Sequence, residues 1–292
     1  MTKTAWVFPG QGSQSIGMGI DLLNLPSGKE KFTQAQDILG WSVIDICQGD
    51  EEKLSRTLYT QPCLYVVETI LADLLREKGH KPDLLAGHSL GEYIALYVAG
   101  VFDWSSGLRM VKRRAELMDN AAGGKMAALM KFDREKLEKA IAETPDVVLA
   151  NDNSPAQVVI SGTPDAVEKI ISEVKAKRAT TLQVSGAFHS PLIAAAAKEF
   201  KDVLELINFR CASIPILSNV EPSPETDGET LKTRVIGQMT GSVRWRETSL
   251  GLQKQGIEKV IEIGPGKVLT GLIKRTCEGL TLENVSTAAD LE

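Results

Sequence analysis

Ser89 stands at the centre of Gly87-His88-Ser89-Leu90-Gly91, a Gly-x-Ser-x-Gly pentapeptide. A serine hydroxyl between two glycines can attack a carbonyl carbon if the backbone turns tightly enough to expose it and a base takes its proton. Three histidines could be that base. His80 follows Gly79 at the end of a helical segment and reads as a solvated cap. His88 adjoins the serine, so a tight turn sends its side chain away from Ser89. His189, in the loop Gly186-Ala187-Phe188-His189-Ser190-Pro191, is the base left by elimination. An acid to complete a triad, lying between positions 89 and 189, has one tempting candidate in Asp152. A dyad whose histidine is oriented by a backbone carbonyl is the alternative.

Two other stretches could touch a substrate. Gly10-Gln11-Gly12-Ser13-Gln14-Ser15-Ile16-Gly17-Met18-Gly19 is a glycine-rich loop directly off an apolar run. It lacks the terminal Gly-Lys-Ser/Thr of a Walker loop, and Ser15 stands where a dinucleotide fingerprint needs glycine, so neither phosphate motif is met. Two readings remain: a loop whose backbone N–H groups point into a site, and a flexible surface turn. Arg114 lies in a helical segment with an apolar stripe of Leu108, Val111, Ala115 and Met118. At about 100° per residue from Val111, Arg109 and Arg113 fall almost opposite the stripe, whereas Arg114 lies only about 60° from Val111. An inward guanidinium needs a carboxylate from the protein or from a ligand, since an unpaired buried charge is costly.

The surrounding elements place Ser89 between a strand and a helix. Asp83-Leu84-Leu85-Ala86 reads as a buried strand after the breaker Pro82, and Leu90 to Ala99 as a helix closed by Gly100. That context makes the pentapeptide a nucleophile elbow, with the hydroxyl at a helix N-terminus. Thr4 to Phe8 reads as a first buried strand, and Gln61 to Gly79 as an amphipathic helix. Beyond Gly123-Gly124 the pattern is strand (125–132), helix (133–143), strand (147–151), a turn at Asn153-Ser154-Pro155, strand (157–161), helix (164–175) and strand (180–184). That βαββαβ order is the ferredoxin-like arrangement. Later segments alternate again: helices over 192–207, 230–239 and 246–255, strands near 214–219 and 259–263, and a last helix over 267–276. The expectation is an α/β protein: a large domain (1–124 and 187–292) with a mainly parallel sheet, and an inserted ferredoxin-like small domain (125–186) walling a cleft.

Composition narrows the function classes. The chain has 292 residues, 43% hydrophobic, with a net charge of -5, which disfavours a nucleic-acid binder. The four cysteines show neither disulfide nor zinc spacing. No signal sequence or membrane-spanning run is evident, so a cytoplasmic enzyme without a bound metal or cofactor is expected, as a monomer. A serine esterase or thioesterase and a carrier-binding module without chemistry are the competing readings of the elbow.

Taken together, Phe8-Pro9-Gly10-Gln11-Gly12-Ser13-Gln14, Gly87-His88-Ser89-Leu90-Gly91-Glu92-Tyr93, Arg114, Ala187-Phe188-His189 and Gly264-Pro265-Gly266-Lys267 closely resemble the malonyl-CoA:acyl-carrier-protein transacylases of fatty-acid synthesis and related polyketide acyltransferase domains. The resemblance implies an α/β-hydrolase-like large domain and ping-pong transfer of malonyl from malonyl-CoA, the substrate, to the phosphopantetheine thiol of an acyl carrier protein. It assigns Ser89 as nucleophile, His189 as base and acid, the N–H groups of Gln11 and Leu90 as oxyanion hole, and Arg114 as the malonyl-carboxylate ligand. By local spacing Gln238 matches the residue whose carbonyl orients the histidine. The Ala-Phe-His loop resembles the malonyl-selective form of that motif. An acidic carrier would need a basic patch, for which Lys112 with Arg113, or Lys267, Lys274 and Arg275, are candidates.

Overall fold

The computed structural model describes residues 2–291. The first strand, β1 (Thr4–Phe8), leads through the glycine-rich loop to α1 (Pro26–Leu39), α2 (Val43–Gln48) and α3 (Glu51–Ser55), then α4 (Thr57–Glu77). Pro26 opens α1 and Gly40 closes it in the left-handed conformation; Ser42 and Asp50 cap the next two helices through their side chains. Helix α4 begins one turn before the expected start at Gln61 and carries Pro62 inside it. The proline removes one backbone hydrogen bond, but apolar and polar side chains alike are buried along almost the whole of α4, so packing holds the extra turn.

Next come β2 (Leu84–Gly87), α5 (Gly91–Val98) and α6 (Trp104–Asp119), the last capped by Asp103 through Ser106 N at 2.9 Å. The antiparallel sheet follows: β3 (Lys125–Met130), α7 (Arg134–Ala142), β4 (Val147–Ser154), β5 (Gln157–Gly162), α8 (Pro164–Val174) and β6 (Arg178–Thr181). The chain ends with α9 (Ala194–Glu205), β7 (Ile216–Leu217), α10 (Gly228–Gln238), α11 (Trp245–Lys254), β8 (Lys259–Ile263), α12 (Val268–Lys274) and β9 (Thr281–Val285).

The large sheet has the order β7-β2-β1-β8-β9, and all its pairings are parallel. Its central strands are buried on both faces, as a parallel sheet covered by helices requires. Trp6, Phe8 and Leu85 pack with α4, α5 and α6, while Ala5, Val7, Leu84 and Ala86 pack with Trp245, Leu252, Leu269 and Ile273 on the other side. The small sheet has the order β4-β5-β3-β6, with α7 and α8 on one face. Its other face, through Met126, Ala150 and Val159, joins the main core. This is the α/β fold with a ferredoxin-like second sheet that the sequence pattern implies.

The C-terminal ends of β4 and β6 differ most from the pattern. Strand β6 is exposed and stops at Thr181, because Leu182 and Val184, whose apolar character suggests a longer strand, turn instead onto the main core. Strand β4 runs on to Ser154, through register shifts, because its backbone is held on a second side: Asp152 N donates to Val243 O at 3.0 Å and Val243 N to Ala150 O at 2.8 Å. At Gly124 an added methyl would come within 2.1 Å of Ala187 N, so the strand entering the small domain and the loop leaving it run side by side.

The turn at β2–α5 has no room for side chains. A methyl on Gly91 would sit 2.0 Å from the Phe8 carbonyl oxygen, and one on Gly87 1.9 Å from the Gly91 carbonyl carbon. Gly91→Ala should therefore destabilise the protein by about 3 kcal/mol, as overpacking against a rigid backbone does. Chemical denaturation checks this; a change within error would mean the turn can open.

Candidate active site

Ser89 sits at the tip of that turn with φ of 52°, in the left-handed region, and His189 has φ of 55°. Such backbone costs about 1–3 kcal/mol per residue and persists only where surroundings enforce it. For Ser89 the enforcement is visible: its N–H donates to Asn219 Oδ1 at 2.7 Å, and Asn219 Nδ2 donates to Gly87 O at 2.6 Å. One side chain, delivered just past β7, clips both ends of the elbow.

Ser89 Oγ lies 2.8 Å from His189 Nε2. His189 Nδ1 faces two carbonyls, Gln238 O at 2.9 Å and Gly241 O at 3.2 Å. Carbonyl oxygens only accept, so Nδ1 carries the proton and Nε2 presents a lone pair to the serine. Asp152 is elsewhere, held by Arg134 at 2.9 Å and Arg246 at 2.8 Å, so it takes no part in orienting the imidazole. His80 is exposed, and His88 turns to Asn153 Oδ1 at 2.9 Å.

Arg114 is fully buried. Its Nη1 donates to Gln61 Oε1 at 2.6 Å, and its Nη2 to Ser89 Oγ at 3.0 Å and Gln238 Oε1 at 3.1 Å, while the guanidinium stacks 5.3 Å from the Tyr93 ring centroid. All of these partners are neutral. Among the described residues Arg114 forms no salt bridge, and its Nε has no acceptor. The buried ion pair that the sequence leaves open is therefore not what satisfies this charge.

The glycine-rich loop lies against the elbow: a methyl on Gly10 would meet His88 O at 2.4 Å and Leu90 N at 3.6 Å. Among the described residues the N–H groups of Gln11 and Leu90 have no protein acceptor, whereas that of Ser89 is taken by Asn219. The Gly264-Pro265-Gly266 turn backs the root of this loop, Gly264 lying against the Pro9 ring. A cavity of about 80 Å³ opens between Gln11, Gln61, Ser89, Leu90, Phe188 and His189. Of the six residues singled out from the sequence, Gln11, Ser89, Leu90 and His189 line this space, while Arg114 and Gln238 lie behind it, bonded to Ser89 and His189. Gln61, Tyr93, Asn219 and Glu92 join them without having been singled out as site residues. Among the described residues no cluster of acidic, histidine or cysteine side chains could hold a metal.

A neutral imidazole against the hydroxyl of an elbow serine, beside two amides without acceptors, is an arrangement that can carry acyl transfer through the serine. Residues 5–291 match the family model described as the acyl transferase domain. The chain is 60% identical over 289 residues to a malonyl CoA-acyl carrier protein transacylase of Synechocystis, covering 99% of each chain. The crystal structure of the Synechocystis enzyme superposes with a TM-score of 0.98, again at 60% identity and 99% coverage of both chains. A malonyl-transacylase solved in complex with its type II polyketide acyl-carrier protein is 39% identical, with a TM-score of 0.95, over 99% of this chain and 98% of that one. This chain belongs to the acyl transferase domain family and is an acyltransferase.

Burial, and after it the charge of Arg114, lower the His189 pKa to about 3, with the carbonyl of Gln238 acting the other way. A lowered value means the ring stays neutral, and able to accept a proton, as pH falls well below 6.5. Removing the positive neighbour should move the titration back up. NMR of the His189 ring in Arg114→Ala should show a higher pKa than in the parent protein; an unchanged or lower value would mean that the guanidinium's charge does not reach the ring.

Proposed function

We propose that the chain transfers the malonyl group of malonyl-CoA to the phosphopantetheine thiol of an acyl carrier protein, through a malonyl ester on Ser89. The observation that carries the substrate class is Arg114, a buried guanidinium beside the nucleophile with no anion of the protein's own bonded to it. A carboxylate two bonds from the reacting carbonyl supplies the missing partner, bidentately. A neutral acyl group would leave the charge bare, which disfavours a general esterase.

The half-reactions follow from the geometry. Ser89 Oγ attacks the thioester carbon as its proton passes to His189 Nε2, 2.8 Å away. The negative charge that develops on the carbonyl oxygen is met by the N–H groups of Gln11 and Leu90. Collapse breaks the C–S bond; CoA leaves as a thiol with the proton from His189. The carrier's thiol then gives its proton to His189 and attacks the ester, and Ser89 recovers the proton as its Oγ departs. The Gln238 carbonyl holds the imidazolium through Nδ1 in both halves. No bound metal or cofactor has a role, and the pathway is fatty-acid synthesis in the cytoplasm.

Of the two basic patches, Lys112 and Arg113 are engaged, the first with Ile38 O at 3.0 Å and the second with Glu116 and Glu199. Lys267, Lys274 and Arg275 are exposed and form no salt bridge among the described residues, so the acidic carrier docks there. Lys274→Glu with Arg275→Glu should raise KM for the carrier several-fold and leave acylation by malonyl-CoA unchanged; steady-state kinetics at low and high salt checks this.

Mass spectrometry after mixing with malonyl-CoA should find one malonyl adduct, on Ser89, and none in Ser89→Ala. Arg114→Ala should lose about 3 kcal/mol, roughly a hundredfold, in malonyl kcat/KM, the worth of two charge-assisted hydrogen bonds. Acetyl transfer should fall far less, and equal losses would place Arg114 in a purely structural role.

A further inference from the structure

The polar groups that hold Ser89, His189 and Arg114 lead to one carboxylate, that of Glu92. It lies in the first turn of α5 and is fully buried. Its Oε2 accepts from Gln238 Nε2 at 2.7 Å and from Asn219 N at 3.1 Å, while Oε1 has no partner among the described residues. Both donors belong to residues that position the reacting groups. Gln238 Nε2 also donates to Ser89 O at 2.9 Å, its Oε1 faces Arg114, and its main-chain carbonyl holds His189. Asn219 clips the elbow.

We infer that Glu92 is a positioning residue that serves as the indirect counter-charge of Arg114, set one amide away so that it balances the guanidinium without occupying the fork that receives the substrate carboxylate. The geometry excludes the simpler arrangements. A carboxylate paired directly with Arg114 would fill the donors the substrate needs. With no anion nearby, a fully buried cation would be left uncompensated. Gln238 resolves the conflict because an amide has two ends. Glu92 accepts from the nitrogen end, which fixes the oxygen end toward Arg114; flipped, the same side chain would turn N–H groups on the guanidinium. Burial pushes the Glu92 carboxyl up, while the Gln238 and Asn219 donors and the Arg114 charge pull it back down.

This inference rests on the reading that Arg114 binds the substrate carboxylate, and the test separates the two. Glu92→Gln keeps an oxygen for Gln238 and Asn219 but removes the charge. Single-turnover acylation is measured with malonyl-CoA and acetyl-CoA as probes. Freed of its competing anion, Arg114 should hold malonyl more tightly, so the malonyl-to-acetyl preference should rise at least threefold in Glu92→Gln. A preference that is unchanged or lowered overturns the inference and leaves Glu92 a structural hydrogen-bond acceptor. Arg114→Ala in the same assay reports on the underlying reading: if its preference matches the parent's, carboxylate binding by Arg114 fails whatever Glu92 does. Should Glu92→Gln not fold, Glu92→Asp keeps the charge and shortens its reach. Both acyl rates should then fall by the same factor with the preference retained, and a lost preference would overturn the inference.

Discussion

A guanidinium buried among neutral partners is the constraint on which the rest of the site depends. Gln61 on α4, Ser89 at the elbow, Tyr93 on α5 and Gln238 on α10 all give polar or π-electron density to Arg114, and none gives a full charge. Such an arrangement is poorly suited to stability, since a buried pair of opposite charges or an apolar residue would be cheaper. It suits recognition, because the remaining attraction is available only to an incoming anion. Four separate elements therefore converge on one side chain, and their mutual placement is what keeps its bonded partners neutral.

The same charge reaches the base. Arg114 is, after burial, the main reason that His189 resists protonation. On the reading proposed above, a substrate carboxylate paired with the guanidinium would weaken that opposition and make His189 a better acceptor for the serine proton at the moment an acyl group lies in reach. An acyl group without a carboxylate binds next to a base that is still suppressed. Selectivity then enters the chemical step as well as binding, so that energy from the carboxylate contact is expressed in the transition state.

Much of this was legible in the sequence because it depends on local rules. Gly87 and Gly91 report a turn in which a methyl would strike backbone, Arg114 reports its direction through the helical period, and the βαββαβ order reports the second sheet. What was not legible depends on contacts distant in the chain. Asn219 reaches Ser89 across 130 positions and Glu92 meets Gln238 across 146; nothing in Ser218-Asn219 marks the first contact, and the motif that contains Glu92 does not say what its carboxylate meets. Helices α1 to α3 carry little signal: the buried face of α1, Gly28, Phe32, Ala35 and Leu39, keeps helical spacing but includes two small residues, and α2 and α3 span 6 and 5 residues. Strand β9, on the sheet edge, has Leu282 and Val285 as its apolar residues, three positions apart, so its sequence carries no apolar alternation to read. The early start of α4 and the short β6 share a cause: tertiary packing outweighs the signal of a proline or of two apolar residues.

The junction between the two sheets explains why the nucleophile lies in so small a space. Asn153 on β4 holds His88, the neighbour of the nucleophile, and the backbone of Ala150 and Asp152 bonds to Val243 beyond α10. Small-domain and large-domain chain therefore meet through main-chain hydrogen bonds within two residues of the carbonyl at Gly241 that faces His189. Closure of the cleft and orientation of the base are thus set by one segment, from Gln238 to Val243. On the proposed reading, a malonyl ester on Ser89 would fill much of this cavity of about 80 Å³ and leave little volume for water beside it.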